Sequence, residues 1–334
     1  MKILFIRFGS IGDIVLTTSP IRSLKKEIPN AQIHYLTLEE YAPLLEGNSS
    51  IDRLHVLERS TGVCKLISVG NYLNHCNFDV VVDMHSSLRS KIIRNRIKSG
   101  SHHYLKKPRW KRFKLFEFHQ NDFQNDFSQL TLFHSVIKDI LSLEHHSSTS
   151  LFVSENEKEE AKLLLSKNGI KGEHYLVCVP GAAWRNKTWK TEKYLELFKY
   201  FMENNFEIIL LGSKKDVICN DCESENNSLI NMAGKTEFRQ SLAIISQAQL
   251  VIGSDTGFVH AAEALGIPTV MLLGPTSTET GAGVTKTMSK NIQLSHIWCR
   301  PCSQNGSRPC YRYEKFCMNG IQPDTVISQI AEMI

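Results

Sequence analysis

The chain has 334 residues, roughly twice the usual size of one domain, so two domains of about 150 residues each are expected. Apolar residues make up 42% and charged residues 22%, which excludes a disordered, collagen-like or low-complexity chain. The net charge is +5; no run approaches the roughly 18 uncharged apolar residues that cross a bilayer, and the expectation is a cytoplasmic protein that touches a membrane at most from its surface.

Residues 2–7 enclose the apolar run Ile3-Leu4-Phe5-Ile6 between two charges. That run is too short for a signal-peptide core and reads as a buried first strand. Residues 32–36, 53–57 and 79–83 read as further strands, and residues 14–27 and 65–73 as the helices between them, the rhythm of parallel βαβ units. A long helix over 127–141 is expected to close this half, with 144–150, rich in His, Ser and Thr, as the linker. The second half restarts the rhythm. Strands are expected at 175–179, 207–211, 250–252 and 269–273, helices at 191–203, 241–247 and 258–265, and a last helix at 323–334, opened by Pro323-Asp324. The fold class is therefore α/β, with two Rossmann-like, doubly wound domains at 1–150 and 151–334. A ligand cleft is expected between them, at the carboxyl ends of strands.

Charge is distributed unevenly. Between Asp83 and Glu117 there is no carboxylate, while eleven cations run from Arg89 to Lys114; removing them from the net +5 leaves −6. Trp110, Phe113 and Phe116 interleave with these charges. A solvated basic face is one reading. The other is a landing site for a polyanion, whether phosphorylated lipid, anionic membrane or nucleic acid.

Three loops carry candidate chemistry. Gly9-Ser10-Ile11-Gly12-Asp13 follows the first strand and opens the first helix, yet lacks both the Gly-x-Gly-x-x-Gly spacing and a Gly-Lys-Ser/Thr ending. Asp13 there is either a helix cap or a general base. At Ser254-Asp255-Thr256-Gly257, with His260 one turn on, a strand ends and a helix begins at once, so free N–H groups and the Thr256 hydroxyl suit a bound anion such as a diphosphate. Lys187, flanked by Trp184 and Trp189, can pair with phosphate as a point charge. Separately, Cys299, Cys302, Cys310 and Cys317 fall within nineteen residues. In a cytosolic protein that clustering favours a structural four-thiolate zinc or iron site over disulfides, with Cys219 and Cys222 as a rival donor pair.

Together Gly9-Ser10-Ile11-Gly12-Asp13, Pro180-Gly181-Ala182 with Lys187 and Trp189, Ala233-Gly234-Lys235-Thr236, and Ser254-Asp255-Thr256-Gly257 with His260, Pro268 and Gly274-Pro275-Thr276 resemble glycosyltransferase family 9, the ADP-heptose:lipopolysaccharide heptosyltransferases. The resemblance implies a GT-B fold with its two domains facing across a cleft, an inverting mechanism, and no cofactor or metal for catalysis. It implies that Asp13 is the catalytic base. It implies an ADP-sugar donor held by Lys187, Thr236, Asp255, Thr256, Gly257 and His260, together with Ala182 and Ala183. Some members have hydroxyl side chains at those two alanines, so phosphate contact there falls to backbone N–H groups. Where some members place a ribose-binding glutamate, this chain has Ser213-Lys214-Lys215-Asp216.

The acceptor implied is a phosphorylated, acidic inner-core glycolipid, met by Ser10, Gly12, His85, Arg89 and Lys91. That partner gives the basic stretch its purpose, implies peripheral contact with the cytoplasmic face of the inner membrane, and removes nucleic acid from the expected partners. Two other readings stand beside it. One is a related transferase using another nucleotide sugar or a protein acceptor; the cysteine cluster occurs in only part of the family, including relatives that glycosylate proteins and bind iron there. The other is a catalytically silent binding protein.

Overall fold

The computed structural model describes residues 1–141, 146–170, 174–223 and 228–333. The chain forms two compact units, Met1–Pro108 with Gln129–Phe152, and Arg109–Ser128 with Val153–Ile334. The basic stretch is thereby divided: its cations up to Lys107 belong to the first unit and those from Arg109 onward to the second.

The first unit contains, in chain order, β1 (Lys2–Ile6), α1 (Ile11–Glu27), β2 (Gln32–Leu38), β3 (Arg53–Leu57), α2 (Val63–Asn74), β4 (Val80–Asp83), α3 (Leu88–Arg94) and β5 (Ser101–Tyr104). Helix α4 (Arg109–Phe118) then packs with the second unit, and α5 (Gln129–His134) returns to the first. The sheet is parallel, in the order β3-β2-β1-β4-β5. Ile3, Leu4, Phe5 and Ile6 of the central strand are fully buried, as expected for a parallel strand covered on both faces.

The second unit contains α6 (Glu155–Lys167), β6 (Tyr175–Val179), α7 (Thr191–Glu203), β7 (Glu207–Leu210), α8 (Ile218–Asp221), β8 (Leu229–Asn231), α9 (Phe238–Ile245), β9 (Leu250–Ser254), α10 (Gly257–Ala264), β10 (Thr269–Leu273), β11 (Ser289–Gln293), α11 (Phe316–Asn319) and α12 (Pro323–Ala331). Its sheet is also parallel, in the order β11-β10-β9-β6-β7-β8. Every residue of β6, β9 and β10 is buried.

In each sheet the chain order reverses beside the first strand of the unit: between β1 and β4 in the first, and between β6 and β9 in the second. Loops leaving adjacent strands in opposite directions open a crevice at such a point, where ligands of doubly wound folds sit. The candidate residues fall on those loops. Asp13 follows β1 and His85 follows β4; Lys187 follows β6 and Asp255 follows β9.

One expected element is corrected. The helix read over 127–141 is helical only in α5; beyond His134 the chain continues in three-residue turns, with Val136 N–H donating to Phe133 O and Ile137 N–H to His134 O. Long-range anchors win over helical propensity here. Phe133 lies beneath the Arg7 guanidinium, 5.3 Å from its ring centre, and the buried His134 meets Ser19 Oγ at 2.8 Å. Of the expected linker 144–150, the first two residues lie outside the described residues. The rest is laid on α1, where Ser23 Oγ accepts from Ser147 N–H and Thr18 Oγ1 from Ser150 N–H.

Candidate active site

In the first unit the site is built around Asp13. The N-cap of α1 is Ser10, not Asp13; Asp13 occupies the third helical position and reaches back to it. Asp13 Oδ2 accepts from Ser10 N–H at 3.3 Å and from the Ser10 hydroxyl at 3.0 Å, half of a capping box. The same oxygen lies 2.5 Å from Arg7 Nη2, and Arg7 is fixed in turn by donating to Met84 O at 2.7 Å. Burial by itself would raise the Asp13 carboxyl. The Arg7 charge and the Ser10 bonds outweigh it and hold the group below the ordinary carboxylate range. With its side chain 28% exposed, Asp13 is an oriented carboxylate, ionised at neutral pH. Gly9 makes the loop feasible: its φ is +144°, and a Cβ there would stand 2.7 Å from the Tyr41 ring.

Phe8, at the start of the same loop after β1, packs on the β4 loop. Its ring lies 5.0 Å from that of His85 and 5.7 Å from the Arg89 guanidinium. Burial, then the charges of Arg7 and Lys107, push His85 down to about 4, so it is neutral near pH 7, and its buried Nδ1 has no hydrogen-bond partner. The loop carrying His85 is held by Asp83, whose Oδ1 accepts from His85 and Ser86 N–H while Oδ2 pairs with Arg94 at 3.1 Å. The structure thus gathers Ser10, Gly12, Asp13, His85 and Arg89 on the loops and helix starts after β1 and β4. Lys91 is exposed on α3 and takes no part in the Phe8 cluster.

In the second unit, Lys187 and Asp255 bridge the switch point. Lys187 Nζ donates to Asp255 Oδ2 at 3.0 Å, and both side chains are nearly buried. Thr276 Oγ1 donates to the same oxygen at 2.9 Å, and His260 Nε2 stands 3.8 Å from Asp255 Oδ1. Burial would raise Asp255; the Lys187 charge and His260 overcome it and keep the carboxyl well below its usual range. Thr256 is the N-cap of α10 yet makes no side-chain capping bond, so its hydroxyl and the first N–H groups of α10 are available to an anion. His260 Nδ1 is buried without a partner.

Other expected donor residues sit differently. The Thr236 hydroxyl is engaged by Ser241 Oγ at 2.8 Å. Asp216 turns back on its own loop, where Oδ2 accepts from Ser213 N–H at 2.6 Å and from the Ser213 hydroxyl at 2.8 Å. It also packs so close to Gly181 that a Cβ there would collide with it. A pocket of about 640 Å³ borders Gly181, Ala182, Arg185, Lys215 and Asp216, and its lining does not include Lys187, Asp255 or His260.

The cysteine-rich segment has a role that its spacing does not announce. Arg300 Nε donates to Gly274 O at 2.5 Å and Nη2 to Thr276 O at 3.0 Å, fixing the loop that carries Thr276. Gly306, at φ +83°, lies against the Lys187 stem, 2.6 Å from Cγ to an added Cβ. Cys299, Cys302, Cys310 and Cys317 all line one cavity of about 20 Å³. Among the described residues no group of three or more His, Cys, Asp or Glu is arranged to hold a metal ion. Burial raises the thiols of Cys302 and Cys317, the latter to about 11. The rival pair is excluded from this cavity: Cys219 and Cys222 are wholly buried in the apolar core of the unit, where burial pushes each up to about 12.

Residues 66–311 match the family model of glycosyltransferase family 9 (heptosyltransferase). Lipopolysaccharide heptosyltransferase 3 of Escherichia coli K12 is 25% identical over 316 residues, covering 88% of this chain and 83% of that protein. A family 9 glycosyl transferase from Veillonella parvula superposes with a TM-score of 0.81 at 19% identity, covering 99% of this chain and 96% of its own. The ADP-heptose LPS heptosyltransferase II of E. coli superposes with a TM-score of 0.76 at 21% identity, covering 100% and 98%. The superpositions establish the shared fold.

Proposed function

The chain belongs to glycosyltransferase family 9, and from that premise we propose that it moves a heptose from ADP-heptose to the inner core of lipopolysaccharide, inverting the anomeric centre. The reading rests above all on the buried Lys187–Asp255 pair at the amino end of α10. A departing diphosphate needs positive charge and N–H donors, and these groups supply both from fixed positions.

Asp13 takes the proton of the acceptor hydroxyl as the hydroxyl oxygen attacks the anomeric carbon from the face opposite the leaving ADP. Its depressed basicity, set by Arg7, keeps it ionised at neutral pH. Lys187, oriented by Asp255, together with Thr256, Gly257 and His260, holds the diphosphate, with backbone N–H groups at Ala182 and Ala183 serving where hydroxyls are missing. Ser10, Gly12, His85, Arg89 and Lys91 receive the phosphorylated acceptor. Thr236 joins the donor site once its hydroxyl leaves Ser241. The four clustered cysteines hold one structural zinc or iron outside the reaction, a reading supported by their convergence on one cavity.

Work on such a lipid-linked acceptor takes place at the cytoplasmic face of the inner membrane, in peripheral contact. Among the described residues no helix is long and apolar enough to cross a membrane. The test is a panel of nucleotide sugars offered with heptose-deficient lipopolysaccharide, read by mass. A heptose added from ADP-heptose supports the reading. Transfer of another sugar, or transfer to protein alone, would replace it.

A further inference from the structure

Helix α4 carries Arg109, Lys111, Arg112 and Lys114, yet its apolar residues do not all turn inward. Only Leu115 is buried, while Trp110 is 66% exposed and Phe118 61% exposed. The outward aromatics are ordered among themselves. Trp110 stacks on Phe113 at 5.4 Å and Phe113 meets Phe118 edge-on at 5.8 Å.

A second segment of the same unit, distant in sequence, repeats the chemistry. Trp298, Tyr311 and Tyr313 are exposed, Tyr313 completely. The Arg312 guanidinium lies between Trp298 and Phe316, 5.0 and 4.7 Å from the ring centres. The two segments are joined by Arg308, which pairs with Glu117 at 2.5 Å and lies 5.6 Å from the Phe116 ring. Glu117, the only carboxylate of α4, is thereby occupied.

Of the twelve exposed aromatic side chains among the described residues, seven sit on these two short segments. Exposed apolar residues scattered singly need no explanation, but such a concentration marks an interaction surface. The chemistry selects its occupant. Aromatic rings interleaved with Arg and Lys are suited to the boundary between acyl chains and anionic headgroups, where the rings enter and the cations meet phosphate.

We propose that α4 and the 298–316 segment form one face of the second unit that docks on an anionic bilayer surface. The inference rests on the proposed reading of the acceptor as lipid-linked, and it assigns the membrane contact to this unit and to these residues.

The full chain is mixed with vesicles of phosphatidylethanolamine and phosphatidylglycerol, or of phosphatidylcholine alone, and sedimented. Binding to the anionic vesicles, weakened by salt and accompanied by a blue shift of tryptophan emission, is expected. The triple variant Trp110→Ala, Phe113→Ala, Phe118→Ala should partition at least about ten-fold more weakly, because each buried ring contributes to interfacial binding. Lys111→Glu and Tyr313→Ser, both at exposed positions, should each weaken it without unfolding the chain, and Tyr200→Ala on α7 should leave it unchanged. Equal binding to both vesicle types, or unaltered binding by the variants, would overturn the proposal. So would self-association or nucleic-acid binding that is lost in these variants while vesicle binding persists. Transfer to a delipidated acceptor oligosaccharide, measured alongside, separates the two readings: the triple aromatic variant and Tyr313→Ser should retain it, and its absence in the unaltered chain would count against the proposed reaction instead.

Discussion

Arg7 and Asp13 form an ion pair of 2.5 Å at the carboxyl end of the central strand of the first sheet. The proposed base is therefore oriented by a nearly buried guanidinium that is itself locked to Met84 O. This relationship predicts a pH profile. Asp13 must be ionised to accept a proton, so kcat/KM should fall as pH drops through its folded-state pKa, which lies below the ordinary carboxylate value. Arg7→Gln removes the lowering charge and leaves burial, which raises the group, so the acid limb should move to higher pH. Arg7→Lys should restore part of the original position. An acid limb identical in Arg7→Gln and the unaltered chain would contradict the coupling.

Thr276 reaches Asp255 from the loop fixed by Arg300. Thr276→Val keeps the volume and removes the hydrogen bond to a buried carboxylate. Bonds to charged groups contribute about 1.5–3 kcal/mol. The thermal midpoint should fall by a few degrees, and ADP affinity, read by calorimetry, should fall as well because Asp255 is less firmly held beside Lys187. Unaltered ADP affinity would remove Thr276 from the donor site.

Gly306 presses on Lys187 with a backbone at φ +83°. Ala at this position is strained by about 1–2 kcal/mol, and its Cβ meets the lysine stem. Gly306→Ala should raise the donor KM and lower the thermal midpoint by a few degrees. A variant with normal donor KM would show that the cysteine-rich segment does not position the lysine.

His34 Nδ1 and His55 Nε2 meet at 2.9 Å between β2 and β3. Burial, then Lys2 and Arg53 for the first and His34 and Arg53 for the second, push each down to about 4. The unfolded chain takes up these protons near the ordinary histidine value of about 6.5, and the folded chain resists them. Their contribution to stability is therefore full above that value and is lost as pH falls from it towards about 4. The urea midpoint should drop between pH 7 and pH 5, and the double variant His34→Gln, His55→Gln should flatten that drop. An equal drop in the variant would assign it elsewhere.

How far the sequence discloses this molecule depends on the residue. The buried strand Tyr175–Val179 and the three valines of Val80–Asp83 show as unbroken apolar runs and are read directly. The edge strands Ser101–Tyr104 and Ser289–Gln293 are polar and short, and only pairing with β4 and β10 makes them strands. Helix Glu155–Lys167, with its Ser154 and Glu157 capping box, carries a signal that could have placed it. Around the site, Asp13, Lys187 and Asp255 are visible because they lie in glycine-containing loops after strands. Thr276 shows only through its motif, and its bond to Asp255 does not; Arg7, Arg300 and Gly306 act through contacts between segments far apart in the chain, and no local pattern marks such contacts.

The most direct test concerns Asp13. Asp13→Asn preserves size and an acceptor for Ser10 and Arg7 but removes the basic carboxylate. Single-turnover transfer from ADP-heptose to heptose-deficient lipopolysaccharide should be lost by at least about a hundred-fold, the scale of general base catalysis, with ADP affinity within a few-fold of the unaltered chain. Transfer persisting at near the original rate would contradict Asp13 as the base.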